Sequence, residues 1–238
     1  MIKNIFETLR TLFYAILIAL VVRTFFFEPF NIPSGSMKPT LLVGDYLFTA
    51  KYAYGYSRHS LPFSLPLIPG RIFASLPERG DVAVFKLPAD GRTDYIKRII
   101  GLPGDRIQMR DGVLHINGEA VDKERIAPFI EAGVGREIAR FVETLPNGRS
   151  YEVLDMVTGG PHDTTRVFEV PEGHLFAMGD NRDNSMDSRT GFVGFVPIEN
   201  LVGRAEIIFF STDGSAALWE PWKWPFAIRY GRLFDGIE

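Results

Sequence analysis

The chain has 238 residues, of which 46% are hydrophobic and 23% charged, and this composition is typical of a globular protein rather than a disordered one. Its formal net charge of −3 argues against a nucleic-acid-binding protein whose affinity depends on a basic surface. The absence of cysteine excludes disulfides, a cysteine nucleophile, thiolate zinc sites and iron–sulfur clusters.

The first element is an apolar segment between Ile5 and Phe27. Its uncharged core, residues 11–22, is shorter than the ~20 residues that cross a bilayer, so a cleavable signal and a buried soluble helix are the alternatives to a membrane anchor. The apolar character resumes after Arg23, and no Ala-x-Ala-like site follows. We therefore predict an uncleaved anchor over residues 1–27. Lys3 and Arg10 before the span favour an N-terminus on the inner side of the membrane and a main body outside.

After the anchor, short β-rich runs alternate with Gly, Pro and Asn-Gly, which predicts a mainly β domain of antiparallel strands. No fixed-period repeat and no alternation of strands with helices is present. The predicted strands are Asp45–Lys51, Asp81–Lys86, Tyr95–Ile100, Arg106–Arg110, Val113–Ile116, Ile138–Thr144, Tyr151–Met156, Val167–Val170, His174–Met178 and Ala205–Phe210.

Two segments are rich in apolar residues but lack strand or helix patterns. Four prolines between Ala53 and Arg79 prevent a central strand or a long helix there. The run from Trp219 to Phe234 mixes tryptophans with cations, which suits a bilayer interface. For both segments, contact with lipid and ordinary packing on the domain remain alternatives.

Three clusters of residues have the chemistry of a catalytic site. Residues 33–40 place Ser36 between two prolines and next to Gly35, so the loop is stiff and its backbone is accessible. A serine nucleophile needs a base, but none of the four histidines, at positions 59, 115, 162 and 174, lies in a triad motif or a metal-ligand spacing. We expect no metal and no cofactor.

Lys97 is the remaining candidate base. On a strand it shares an apolar face with Tyr95 and Ile99, where an ammonium group loses its solvation and its pKa falls. The sequence alone leaves open an edge-strand lysine that faces water. The third cluster, residues 179–189, is dense in Asp, Asn, Ser and Arg and lacks the pattern of a calcium loop. It is typical of a hydrogen-bonded loop that supports an active site, with a simple polar turn as the alternative.

Together these clusters resemble one family, the bacterial type I signal peptidases, which are membrane-anchored Ser-Lys endopeptidases that remove signal peptides from exported preproteins. The resemblance rests on PSGSMKPT at 33–40, GDVAVFK at 80–86, DYIKRIIGLPGD at 94–105, and GDNRDNSMDSR at 179–189 followed by GFVP at 194–197. It implies a fold of coiled antiparallel sheets, a location in the bacterial cytoplasmic membrane with the catalytic domain outside, and signal peptides and membrane lipid as partners.

The resemblance also implies residue roles. Ser36 would be the nucleophile and Lys97 the general base, with the Ser34 hydroxyl and the Ser36 N–H forming the oxyanion hole. Ser185 would orient the lysine amine, and Asp187 and Arg189 would hold the surrounding loop. Five residues would line the pockets for small substrate residues at −1 and −3: Phe30, Ile32, Pro33, Tyr95 and Ile96.

We predict that residues 28–110 and 171–238 form the catalytic β-domain and that 111–170 form an inserted non-catalytic subdomain. Two alternatives remain. One is a self-cleaving Ser-Lys repressor-type protease, which the anchor and the lack of a DNA-binding domain disfavour. The other is an anchored β-domain that binds exported peptides without cutting them.

Overall fold

The computed structural model describes residues 2–131, 135–217 and 219–237 and begins with a long helix, α1 (Ile2–Phe25). At ~1.5 Å per residue its 24 residues span about 36 Å, more than the ~30 Å hydrocarbon core of a bilayer. The helix is longer than the uncharged core of the sequence because Arg10 and Arg23 both lie within it. Its segment Phe6–Phe25 is long and apolar enough to cross a membrane and is almost entirely unburied.

Seventeen strands follow in the described part of the chain, together with one further short α-helix. The strands are β1 (Phe27–Asn31), β2 (Asp45–Ala50), β3 (Tyr56–Ser57), β4 (Arg71–Ile72), β5 (Val82–Lys86), β6 (Asp94–Gly101), β7 (Arg106–Arg110), β8 (Val113–Ile116), β9 (Glu119–Ala120), β10 (Asp122–Glu131), β11 (Arg136–Thr144), β12 (Ser150–Leu154), β13 (Phe168–Glu169), β14 (His174–Met178), β15 (Val196–Pro197), β16 (Leu201–Ser211) and β17 (Asp235–Gly236). The helix is α2 (Trp224–Ala227), and 3-10 turns lie at Lys51–Ala53, Arg58–Ser60, Pro62–Ser64, Ile198–Asn200 and Tyr230–Arg232.

The largest sheet has the order β1-β2-β16-β5-β6-β14-β15, with β17 paired to β16. Three strands separate β1 from β6, yet Ser36, soon after β1, contacts Lys97 on β6. The sheet is therefore curled into a half-barrel. Three smaller sheets have the orders β10-β11-β12, β13-β7-β8-β9 and β3-β4. The prediction of a mainly β protein with antiparallel sheets is confirmed.

Each of the ten predicted strands has a counterpart in the structure. Two of the strands that the sequence did not predict, β1 and β10, are long enough to need a physical explanation. Strand β10 carries a register shift between Ile126 and Phe129, and Pro128 within it breaks the alternation by which a strand is identified. Strand β1 contains Pro29 and follows the anchor so closely that its apolar residues look like a continuation of the span. It lies at the edge of the sheet, where proline is tolerated.

The core beneath the Ser36 loop is a compact apolar cluster. Ile32, Met37 and Leu41 from the loop pack there with Leu47 and Val82 from β2 and β5, and all five are almost fully buried. These contacts fix the loop against the curled sheet on both sides of Ser36.

The proline-rich segment and the C-terminal segment remain largely on the surface. The first segment contains the two-residue strands β3 and β4, which pair with each other, and short 3-10 turns, as its prolines predict. Large apolar side chains stay exposed in both segments, among them Phe73 at 84%, Trp219 at 79% and Phe226 at 87%.

Candidate active site

The loop after β1 holds Ser36 on a rigid support. At the start of the loop the Ile32 N–H donates to Asp45 O at 2.8 Å, and at its end the Leu41 N–H donates to Met37 O at 2.9 Å and closes a turn within the loop. Ser36 itself is only 9% exposed. The serine hydroxyl therefore lies at a defined position inside the protein surface.

Lys97 reaches Ser36 from β6. Its Nζ atom lies 2.8 Å from Ser36 Oγ and 2.9 Å from Ile96 O, and the residue is 3% exposed. Burial lowers the pKa of Lys97 to about 8, although the negative charges of Asp187 and Asp180 act in the opposite direction. The side chain does not face solvent, so the edge-lysine alternative left open by the sequence is wrong.

Two hydrogen-bond donors lie near the serine oxygen. Ser34 Oγ is 3.4 Å from Ser36 Oγ, and Ser34 is exposed to the cleft side of the loop. Within the described residues, the Ser36 N–H donates no hydrogen bond to another backbone group. The Ser36 N–H is therefore available to an oxygen of a bound ligand, and the Ser34 hydroxyl lies close enough to turn from its long contact with Ser36 Oγ to the same oxygen.

The loop 179–189 packs directly on the backbone of the serine loop. The Asn181 N–H donates to Ser36 O at 3.1 Å, and Asn181 Nδ2 donates to Gly35 O at 3.0 Å. A Cβ atom on Gly179 would lie 2.5 Å from Ser36 O, so only glycine permits this approach. The predicted support loop and the serine loop are therefore in contact.

Buried ion pairs hold this loop. Arg189 binds Asp187 through Nε at 2.9 Å and Nη2 at 2.8 Å, and Arg98, beside Lys97, binds Asp180 at 2.9 and 2.8 Å. Burial alone would raise the pKa of Asp187, but the charge and hydrogen bonds of Arg189 outweigh it and lower the pKa. Asp187 thus remains a charged partner of Arg189 inside the protein.

Ser185 lies inside the same loop but makes no hydrogen bond to Lys97. Its Oγ atom is buried, and its interaction with the Asp187 carboxyl helps to lower the pKa of that group. It faces Gly179, whose missing side chain leaves room for it. Its role as the residue that orients the amine stays a prediction.

A cleft with a volume of about 690 Å³ opens above Ser36 and Lys97. Among the described strands, residues 94–97 of β6 pair with β5 alone, because β14 begins its pairing at Arg98. The outer edge of β1 is also unpaired, since β1 ends the sheet. All the residues predicted to contact substrate line this cleft: Phe30, Ile32, Pro33, Tyr95 and Ile96.

Sequence reasoning missed several residues around the cleft. His162, set aside because it lies in no motif, is part of the cleft wall. Lys38 forms an ion pair of 2.7 Å with Glu131 at the end of β10, and Arg182 of the support loop binds Glu143 of β11 through two bonds of 2.7 Å. No local pattern could have found these pairs, because each joins segments far apart in the sequence.

Three carboxylates at or beside the cleft lie near each other. The nearest oxygens of Asp155, Asp163 and Asp183 are all within 4.8 Å of one another. Each already has partners: Asp155 binds Lys123, and the other two accept backbone N–H groups of the loop 156–160. The cluster is explained as the hydrogen-bonded centre of this loop.

The chain is similar in sequence to known proteins over most of its length. The family model described as "Signal peptidase, peptidase S26" matches residues 5–210. A signal peptidase I from Rickettsia typhi is 46% identical over 219 residues, covering 88% of this chain and 82% of the relative. One from Rickettsia conorii is 48% identical over 208 residues, covering 84% and 77%.

Among solved structures, a signal peptidase I from Enterococcus faecalis matches with 29% identity and a TM-score of 0.34, covering 55% of this chain and 97% of the other. The family model and the Rickettsia relatives confirm the resemblance carried by the four motifs and the predicted class of enzyme, a serine endopeptidase. The chain belongs to the signal peptidase family, peptidase S26.

Proposed function

We propose that the protein is a membrane-anchored endopeptidase that removes signal peptides from exported preproteins, with Ser36 as nucleophile and Lys97 as general base. The observation that carries the proposal is the 2.8 Å contact between Lys97 Nζ and Ser36 Oγ in a buried site. A lysine with a pKa of about 8 is neutral often enough at physiological pH to accept a proton.

The reaction follows from this contact. Neutral Lys97 accepts the proton of the Ser36 hydroxyl while the serine oxygen attacks the scissile carbonyl carbon. The carbonyl oxygen becomes an anion that the Ser36 N–H and the Ser34 hydroxyl stabilise, because both residues line the cleft and the Ser36 N–H donates to no backbone group among the described residues. The lysine ammonium then protonates the leaving amine, and the C–N bond breaks to give an acyl-enzyme. Water, deprotonated by the same amine, attacks the ester and releases the acid and Ser36.

Substrate binds as an extended strand along the open edge of β6. No described strand pairs with residues 94–97 on the cleft side, and apart from Ile96 O, which accepts from Lys97 Nζ, their backbone groups are available for strand addition. Side chains at −1 and −3 then enter pockets formed by Phe30, Ile32 and Pro33 on one side and Tyr95 and Ile96 on the other. Pockets bounded by such side chains and a rigid loop accept small residues and reject large ones by steric clash.

The support loop, residues 179–189, holds Ser36 and Lys97 in position relative to each other. Asp187 and Arg189 lock the loop through their buried ion pair, and Gly179 lets that loop touch the Ser36 backbone. Ser185 lines the same cleft, and in this proposal its hydroxyl orients the amine during the reaction. These residues act through the position of Ser36 and Lys97 rather than on the substrate.

The helix α1 anchors the protein in the bacterial cytoplasmic membrane, with the catalytic domain on the outer side. Its length and exposed apolar surface match a span, and Ser36 follows the end of the helix by a single short strand. The exposed aromatic side chains Trp219, Trp222 and Phe226 suit contact with the lipid interface. Catalysis then takes place beside the membrane surface where a signal peptide emerges.

The test is cleavage of a purified preprotein with Ala at −1 and −3, by the full chain in detergent and read out by product mass. The parent enzyme should cut once, after the −1 residue, and should fail when −1 is Phe. Ser36→Ala and Lys97→Met should abolish cleavage, whereas Lys223→Met, at an exposed lysine away from the cleft, should retain it. Cleavage by Lys97→Met would reject the dyad. Binding of the preprotein without cleavage by the parent would favour a peptide-binding domain.

A further inference from the structure

A second cavity, with a volume of about 340 Å³, adjoins the catalytic cleft. We term it the side pocket; it lies between residues 161–168 and residues 188–195. His162 and Thr190 line both the side pocket and the cleft above Ser36. The two spaces therefore share a wall, and a chain that leaves the cleft on that side can place a side chain in the pocket.

The shared wall is fixed relative to the nucleophile. Thr190 donates twice to Asp187 O, from its N–H at 2.9 Å and from Oγ1 at 2.8 Å, and Thr190 O accepts the Gly194 N–H at 3.0 Å. Asp187 in turn accepts the N–H of Gly179, the residue that packs against Ser36 O. A ligand group in the side pocket is thus held at a constant distance from the scissile bond.

The lining of the side pocket is cationic. Arg166 is exposed, its guanidinium lies 5.1 Å from the centre of the Phe168 ring, and no carboxylate of the described residues is within salt-bridge distance of it. Arg189 also lines the pocket, but it is paired with Asp187, and no acidic residue of the described chain lines the pocket. The neighbouring cleft differs, because Asp94 and Asp183 line it. Arg166 is therefore a cation without a carboxylate partner in a pocket whose described lining has no acidic residue, whereas the adjoining cleft contains carboxylates.

The direction of the substrate decides what enters this pocket. In the proposed function, residues before the scissile bond occupy the part of the cleft formed by residues 30–35 and 93–96. Residues after the scissile bond are left with the other part of the lining, which is formed by residues 183–186, Thr190 and His162. That part leads to the side pocket.

We propose that the side pocket binds an acidic side chain among the first residues of the mature chain, with Arg166 as its specificity-determining cation. The proposal rests on the proposed function, because it uses Ser36 as the point of cleavage. It adds a second, charge-based element to a specificity that otherwise depends on small residues before the cut.

The test uses peptides with one fixed signal-side sequence and with Glu, Lys or Ala placed in turn at +1 to +5. For the full chain in detergent at low salt, kcat/KM should be about fivefold higher with Glu than with Lys at one of these positions, which is the upper range for an exposed ion pair. At ~1 M salt the ratio should approach one, because screening removes the attraction.

Charge reversal identifies the residue. Arg166→Glu should invert the Glu-to-Lys ratio at that position, whereas Arg125→Glu, the same charge change at an exposed residue that lines neither space, should preserve the ratio of the parent. Equal rates for Glu and Lys at all five positions, or an unchanged ratio in Arg166→Glu, would overturn the proposal. If the parent instead fails to cleave even the Ala peptides, the proposed function falls and the pocket assignment falls with it.

Discussion

The dependence of cleavage on pH tests the central contact most directly. Only the neutral amine of Lys97 accepts the serine proton, and its pKa is about 8 because the side chain is buried. The neutral fraction is then about 1% at pH 6, about 10% at pH 7 and about 90% at pH 9. A lysine at its ordinary pKa of ~10.4 would be neutral only about once in a few thousand molecules at pH 7.

We therefore expect kcat/KM to rise about tenfold per pH unit up to pH 7 and about 90-fold in total between pH 6 and pH 9. The measurement uses the full chain in detergent and a peptide with Ala at −1 and −3 and no titrating side chain. Unfolding midpoints recorded across the same pH range separate loss of the base from loss of the fold.

The linkage between protonation and folding supplies a control with a definite sign. Because the pKa of Lys97 is lower in the folded state than in the unfolded chain, stability increases as pH rises from about 8 to about 10.5. Below pH 8 the buried ammonium costs a constant amount, about 3 kcal/mol at ~1.4 kcal/mol per pKa unit. Lys97→Met should therefore be inactive yet unfold no earlier than the parent at pH 7. The assignment of Lys97 as the base would be refuted if kcat/KM did not change between pH 6 and pH 8. It would also be refuted if Lys97→Met still cleaved with a pH dependence whose midpoint lay near 6.5.

Three substitutions test the surroundings of the dyad. Gly179→Ala should lower kcat/KM about 10²-fold, because the added methyl group would meet the Ser36 carbonyl oxygen. Gly231→Ala, where a methyl group has open space, should match the parent. Equal activity of the two variants would contradict the packing argument. Ser34→Ala should lower kcat about 10²-fold with little change in KM, and a loss confined to KM would argue against an oxyanion donor. Glu143→Gln should lower the free energy of unfolding by about 3 kcal/mol in urea titrations, because it leaves the Arg182 charge buried without its ion-pair partner. Adding Arg182→Met to this variant should recover most of the lost free energy of unfolding. If the losses of the two single variants simply add, the two residues are not energetically coupled.

The sequence by itself determined the elements and the chemical groups. Period-two alternation and Asn-Gly turns located ten strands, because side-chain alternation is a local consequence of the pleat. The motifs around Ser36 and Lys97 supplied the nucleophile and the base. The sequence did not predict β1 and β10, because the proline in each strand interrupts the alternation of apolar and polar residues without preventing the strand from forming.

The tertiary structure alone decided whether those groups meet. Ser36 and Lys97 are 61 residues apart, and their 2.8 Å contact exists because the main sheet curls until β1 and β6 face one cleft. The same closure buries the amine and thereby lowers its pKa, which no local pattern reports. The fold also places His162 and Arg166 beside the cleft, although they belong to a loop without any motif. The neighbours of a surface loop depend on the tertiary structure and not on the sequence of the loop itself.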